Sequence, residues 1–133
     1  MKGGVVRSVL TYLFGGTMVL AGAAHFLQPD FFLGFFGGAP AWVPALLLIY
    51  ASGVVEIASG VLTLVPSTRR MGALLILLLM VGFLPVHVVD LLREHPVVGS
   101  DAAAWIRLPM QLVLIAWAYF IGPLWESRRR ASP

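Results

Sequence analysis

The sequence predicts an all-α integral membrane protein: a bundle of four transmembrane helices with both termini in the cytoplasm. Three observations lead there. Of 133 residues 59% are hydrophobic and 11% charged, against about 25% charged in soluble domains. Four apolar stretches, 5–27, 43–65, 71–92 and 105–124, each hold close to the roughly 20 residues that cross a bilayer. Most basic residues sit at the ends of those stretches.

The length of 133 residues suits one domain, 1–133. A soluble domain of this size needs a charged coat, which so few charges cannot supply, so lipid is the natural solvent for the surface. The absence of cysteine excludes disulfides, thiolate metal sites and thiol redox relays. The net charge of +3 is not a nucleic-acid signature. The charges lie in Lys2/Arg7, Arg69/Arg70 and Arg128/Arg129/Arg130, where a membrane protein keeps its anchors.

The first stretch begins after Lys2 and Arg7 and ends near Ala21-Gly22-Ala23, which mimics a cleavable signal peptide. Its apolar run is long for one, and it reads as a retained membrane helix. A long loop with Gln-Pro-Asp, Gly37-Gly38 and Pro40 follows. The second and third stretches are joined by Pro66-Ser-Thr-Arg-Arg70, a tight turn that makes them antiparallel neighbours. The third loop carries Pro96 and the turn signal Gly99-Ser100-Asp101 before the fourth stretch.

The N-terminus, the second loop and the C-terminus hold seven of the nine basic residues. That bias places both termini and the second loop in the cytoplasm. Trp42, Trp105 and Trp125 fall at stretch ends, as interfacial anchors do. The tail Glu-Ser-Arg-Arg-Arg reads as an anchor on anionic headgroups.

Function is sought where polarity enters the apolar stretches. Glu56 lies near the middle of the second, where a charge costs about 2.5–3.5 kcal/mol on insertion scales. Ser52, Gly53, Ser59, Gly60 and Thr63 share its face at spacings of three and four. Glu56 is therefore expected to face the bundle, and a buried carboxyl there suits proton exchange. On the first stretch Thr11, Gly15, Met18, Gly22 and His25 form a similar stripe. His25 lies roughly 27 Å beyond Arg7 along the axis.

The third stretch presents Phe83, His87 and Asp90 on one face, after Pro85, whose missing N–H frees the carbonyl of Val81. The fourth stacks Arg107 on Gln111. His25, His87, Arg107 and Gln111 fall in the outer third, with Glu56 beneath them. The simplest structural role for the outer residues is a solvated rim with an Arg107–Asp90 or Arg107–Asp101 ion pair. The simplest for Glu56 is polarity used in helix packing. The alternative to both is a ligand site formed by His25, Glu56, His87, Arg107 and Gln111.

Gly37-Gly38 is not a phosphate loop, since no basic helix start follows it. No serine sits in a nucleophile elbow. No helix carries a His or Glu pair at metal-ligand spacing, so no metal site is expected. These residue patterns specify no reaction.

Gly22-Ala-Ala-His25-Phe26 followed by Pro29 and Phe32, then Gly53-Val-Val-Glu56 with Gly60 and Pro66, then Arg107-Leu-Pro109-Met-Gln111, resemble the DoxX-like family of small bacterial membrane proteins. The resemblance touches all four stretches. It implies a four-helix protein of the bacterial plasma (inner) membrane. Relatives of that family are linked to thiosulfate:quinone oxidoreductase, to methylamine-dehydrogenase maturation, or to assembly and chaperone roles. At His87 this chain departs from family members, which often carry Asn. The lack of cysteine removes the thiol–disulfide role of some fold relatives.

The expectation drawn from residues and resemblance together is a binding site for a small amphipathic molecule such as a quinone. That site would open toward the outer leaflet, with Glu56 as its floor. The chain would then be the quinone-facing membrane subunit of an oxidoreductase, working with a soluble or membrane redox partner. The alternatives are a non-enzymatic assembly or chaperone factor pairing through the Ser52/Gly53/Gly60 face, and a small proton or solute transporter. Oligomerisation is compatible with each.

Overall fold

The computed structural model describes residues 2–36, 42–94, 96 and 100–131, and all regular structure among them is helical. The elements are α1 (Lys2–Leu27), α2 (Pro29–Leu33), α3 (Ala45–Leu64), α4 (Arg69–Leu91), α5 (Asp101–Ile121) and α6 (Pro123–Ala131), with a 3₁₀ turn, Gly34–Phe36, after α2. Four of them, α1, α3, α4 and α5, are long and apolar enough to cross a membrane. At 1.5 Å per residue each spans about 30 Å or more. The Gly37-Gly38 and Pro40 breakers and Gly99 lie outside the described residues.

The long helices alternate in direction. One end of the bundle carries both termini and the 65–68 turn. The other carries the two longer connections, 28–44 and 92–100. These are called here the terminal end and the loop end. The α1–α3 contact is the most extensive, α4–α5 and α3–α4 follow, and a lighter α1–α5 contact closes the ring.

The expected tight turn between α3 and α4 is present. Thr68 gives its hydroxyl to the carbonyl of Leu62 at 2.9 Å, and Arg69 Nε donates to the carbonyl of Thr63 at 3.2 Å. These bonds fold the start of α4 back against the end of α3.

Both ends of α5 are displaced from the sequence reading. α5 begins at Asp101, not near 105, because Ser100 caps it: its side chain accepts a bond from the amide of Ala103. Asp101 in that first turn suits the positive end of the helix dipole. α5 also stops at Ile121, where Gly122 turns extended and Pro123 starts α6. Trp125 of α6 then packs on Tyr119 and Phe120.

The distribution of polarity is inverted relative to a soluble domain. Leu20, Leu78, Ile106 and Val113 are more than half exposed. Thr11, His25, Glu56, Ser59, Thr63, Asp90 and Gln111 are buried. Buried hydroxyls satisfy their helices' own carbonyls, as Thr11 does with Arg7 and Thr63 with Ser59. Such an arrangement suits a lipid solvent, in which backbone and side-chain polar groups must be satisfied internally.

Near the terminal end an apolar cluster of Phe14, Met18, Ile76, Leu77, Ala118 and Ile121 packs α1, α4 and α5 together, alongside the buried hydroxyls of Thr11 and Thr63. Toward the loop end His25, Glu56 and Asp90 are buried.

Candidate functional site at the loop end

The α1–α3 contact brings His25 and Glu56 together. Gly22 faces Gly53 and Gly15 faces Gly60, so closely that a Cβ on Gly22 would lie 2.6 Å from the carbonyl oxygen of Gly53. In antiparallel helices each Cα–Cβ bond leans toward its own N-terminus. His25 on α1 therefore leans away from the loop end, Glu56 on α3 leans toward it, and the side chains meet.

His25 Nδ1 lies 3.0 Å from the carbonyl oxygen of Ala21. A carbonyl only accepts, so Nδ1 carries the proton and Nε2 is the acceptor of the neutral ring. The same Nδ1 is 3.6 Å from Glu56 Oε2, too long for a hydrogen bond. Glu56 Oε2 is buried with no hydrogen-bond partner among the described residues.

The α4–α5 contact brings together His87, Asp90, Arg107 and Gln111. Arg107 Nη1 donates to Asp90 Oδ2 at 2.9 Å. Of the two ion pairs considered from the sequence, this is the one formed. Gln111 Nε2 donates to the carbonyl of Met80, beside the Val81 carbonyl that Pro85 leaves without its helical donor. Arg107 Nη2 and His87 Nδ1 are buried without a hydrogen-bond partner among the described residues.

The five residues named from sequence thus form two groups instead of one cluster. The polar contacts of His25 and Glu56 run within and between α1 and α3, and those of Arg107 and Gln111 between α4 and α5. A segment that sequence reasoning left as loop spans them. Phe32 of α2 stacks on His25 with ring centroids 3.7 Å apart. Phe35 in the following turn meets His87 edge-on, and Arg107 sits 5.8 Å over its ring. Phe31 touches both Phe32 and Phe35. The signal for this segment is present in the sequence: Pro29 at a helix start, then aromatics one turn apart.

Beside the second group lies a cavity of about 260 Å³, lined among others by Phe35, Pro85, Val86, Val89, Asp90 and Arg93. Its wall is apolar along α4, where Val86 and Val89 are exposed, and polar at Asp90 and Arg93. Among the described residues no three His, Asp or Glu side chains gather to hold a metal ion. The Gly53/Gly60 face is covered by α1, so it is not free to receive a partner helix.

A family model described as a domain of unknown function (DUF8561) matches residues 14–122, which takes in the second half of α1, all of α3, α4 and α5, and both polar groups. The chain belongs to the DUF8561 family. No curated protein and no solved structure matches it. The matched region also includes the aromatic segment that bridges the two groups.

Proposed function

We propose that this DUF8561 chain crosses the bacterial plasma membrane four times, with both termini cytoplasmic, and binds a small amphipathic molecule such as a quinone at the loop end, near the outer leaflet. The observation that carries the reading is the cavity beside Asp90. It combines an apolar wall along α4 with a polar end at Asp90 and Arg93. Its Asp90 and Phe35 touch Arg107 and His87, whose Nη2 and Nδ1 hold no partner among the described residues. Leaving such buried atoms unpaired costs about 1–3 kcal/mol each, which a ligand carbonyl or hydroxyl would recover.

A cavity of about 260 Å³ lies just below the roughly 300–1,000 Å³ of whole-ligand pockets. It suits a headgroup whose tail lies along the lipid-facing side of α4. In this reading Arg107, His87 and Gln111 orient the headgroup. Glu56 and His25 form the second polar pair, across the Phe32–Phe35 segment, and Glu56 exchanges the proton that quinone chemistry requires. The DoxX-like resemblance supports the same role, as the quinone-facing subunit beside a redox partner.

The test is titration of a short-chain ubiquinone analogue into the reconstituted chain, followed by tryptophan fluorescence. The double variant Asp90→Asn/Arg107→Gln removes the charges together. Its affinity should fall at least about tenfold, the equivalent of one strong charge-assisted hydrogen bond. Equal affinities for wild type and double variant would overturn the proposal.

A further inference from the structure

An open groove of about 440 Å³ runs along the α3–α4 contact on the outside of the bundle. It is lined by Val55 of α3 and, among others, by Leu75, Leu78, Leu79, Gly82 and Val86 of α4. All its lining residues are apolar. The α4 positions recur at spacings of three and four, so they share one face of that helix.

Leu79 and Phe83 pack inward against the apolar cluster and form the floor. Val55, Leu78 and Val86 are exposed and form the rim. Gly82 leaves a notch between them, because nothing lies within 4 Å of the place a Cβ would take. Gly22 and Gly53 differ: each is covered by the other's helix. A small residue on a membrane helix lets another apolar body approach closely, and at Gly82 no part of this bundle takes that place.

The groove continues the loop-end cavity, since Val86 lines both. From Val86 it follows α4 to Leu75, about 16 Å along the axis. That direction leads away from the polar end at Asp90 and Arg93, along a helix apolar enough to cross a membrane. The chain of an amphipathic ligand held at the loop end would run the same way, because hydrocarbon is driven out of water. The length is comparable with an extended farnesyl chain. Surrounding lipid tails are as apolar as the groove, so close packing decides what occupies it. A methyl branch can enter the notch at Gly82, where a straight chain would pass over it.

We propose that the α3–α4 groove is the chain subsite of the loop-end ligand, that it holds an isoprenoid tail, and that Gly82 sets its preference for a branched chain. The proposal rests on the loop-end reading above and adds that the ligand is a lipid-soluble isoprenoid quinone, not a short water-soluble one.

Two measurements on the full chain in phosphatidylcholine nanodiscs separate the groove from the headgroup site. Titration of a short-chain ubiquinone analogue, followed by tryptophan fluorescence, reports the headgroup site alone. A ubiquinone analogue whose farnesyl chain ends in a diazirine reports the groove, through photolysis and peptide mass spectrometry. Gly82→Leu fills the notch and suits a helix better than glycine does. Gly16→Leu, at another position with open space around it, is the control on α1. Circular dichroism checks that both variants keep their helices.

Wild type should be labelled at Val55 and within 75–79. Gly82→Leu should lower that labelling at least about fivefold, in the range of overpacking effects, with short-chain affinity unchanged and Gly16→Leu like wild type. If the short-chain analogue binds but the tail labels α1 and α5, or Gly82→Leu leaves groove labelling intact, the groove proposal is overturned and the loop-end reading stands. If the short-chain analogue does not bind, both fall. A phosphatidylcholine with the same diazirine on its acyl chain that labels the groove equally at equal mole fraction would assign it to bulk lipid. A dimer in native mass spectrometry that Gly82→Leu abolishes would assign it to a second copy. Either result also overturns the proposal.

Discussion

Arg107 and Asp90 show how a single pair is shaped by the solvent around it. Their 2.9 Å contact joins α4 to α5 where both side chains are largely buried, at 17% and 6% exposure. Removing one partner leaves a buried charge without its ion-pair counterpart, while removing both leaves two neutral groups able to bond each other. Arg107→Ala alone should therefore destabilise the chain by about 3–5 kcal/mol. The double variant Asp90→Asn/Arg107→Gln should lose less than half as much. Denaturant unfolding in detergent micelles, followed by circular dichroism, reads both. Equal losses would mean that the pair contributes no electrostatic coupling. A stable double variant also makes its ligand affinity interpretable, because binding can then be lost without loss of fold. His25 and Glu56 differ in kind. His25 Nδ1 bonds its own helix, and Glu56 Oε2 lies 3.6 Å from it without a hydrogen bond.

At the scale of elements, the α1–α3 contact is set by glycine. A methyl group on Gly22 would meet backbone atoms of Gly53 and Ile57 at 2.6 and 2.8 Å. Backbone cannot swing aside, so the helices would have to separate. Gly22→Ala should cost about 1–3 kcal/mol, as overpacking does. It should also displace His25 from Glu56, which lies one turn away. At Gly16 nothing lies within 4 Å of the added carbon, and Gly16→Ala should be neutral or gain up to about 1 kcal/mol from helix propensity. Thermal unfolding of the two variants side by side checks the contrast, and similar midpoints would show that the glycine stripe is not a close-packing device. That stripe was legible in the sequence, because spacings of three and four put Gly53, Glu56 and Gly60 on one face whatever the neighbour. The four long helices were legible for a similar reason: length and apolarity are properties of a segment alone. What could not be read was pairing. Depth along each helix put His25, His87 and Arg107 toward the loop end. However, α5 starts earlier than expected, so Gln111 lies at its middle, bonded to Met80 at the middle of α4. Nor does depth say which helices touch. The ring order α1–α3–α4–α5 therefore split one expected cluster into two. The α2 segment was missed because five residues among loop breakers carry too little periodicity to register. Ser100-Asp101 was read as a turn signal when it also caps a helix.

Over the whole molecule, charge and polarity are sorted by end. Arg7, Arg69 and Arg70 gather at the terminal end around a cavity, and α6 continues that basic surface through Arg128 and Arg129. Asp30, Asp90, Glu94 and Asp101 all belong to the loop end. The proposed four spans put the two termini on one side, and the proposal that this side is cytoplasmic rests on the excess of Lys and Arg there. The absence of cysteine makes this directly testable, since any thiol introduced is the only one. Ser127→Cys on α6 and Asp101→Cys at the start of α5 are both exposed positions away from the two polar groups. In intact cells a membrane-impermeant maleimide should label Asp101→Cys and spare Ser127→Cys until the membrane is permeabilised. The reverse pattern would invert the molecule. It would put the loop-end cavity on the cytoplasmic side and the arginine cavity on the outer face. Labelling of both variants in intact cells would exclude a four-span topology altogether, and with it the lipid-facing entrance that the ligand site requires.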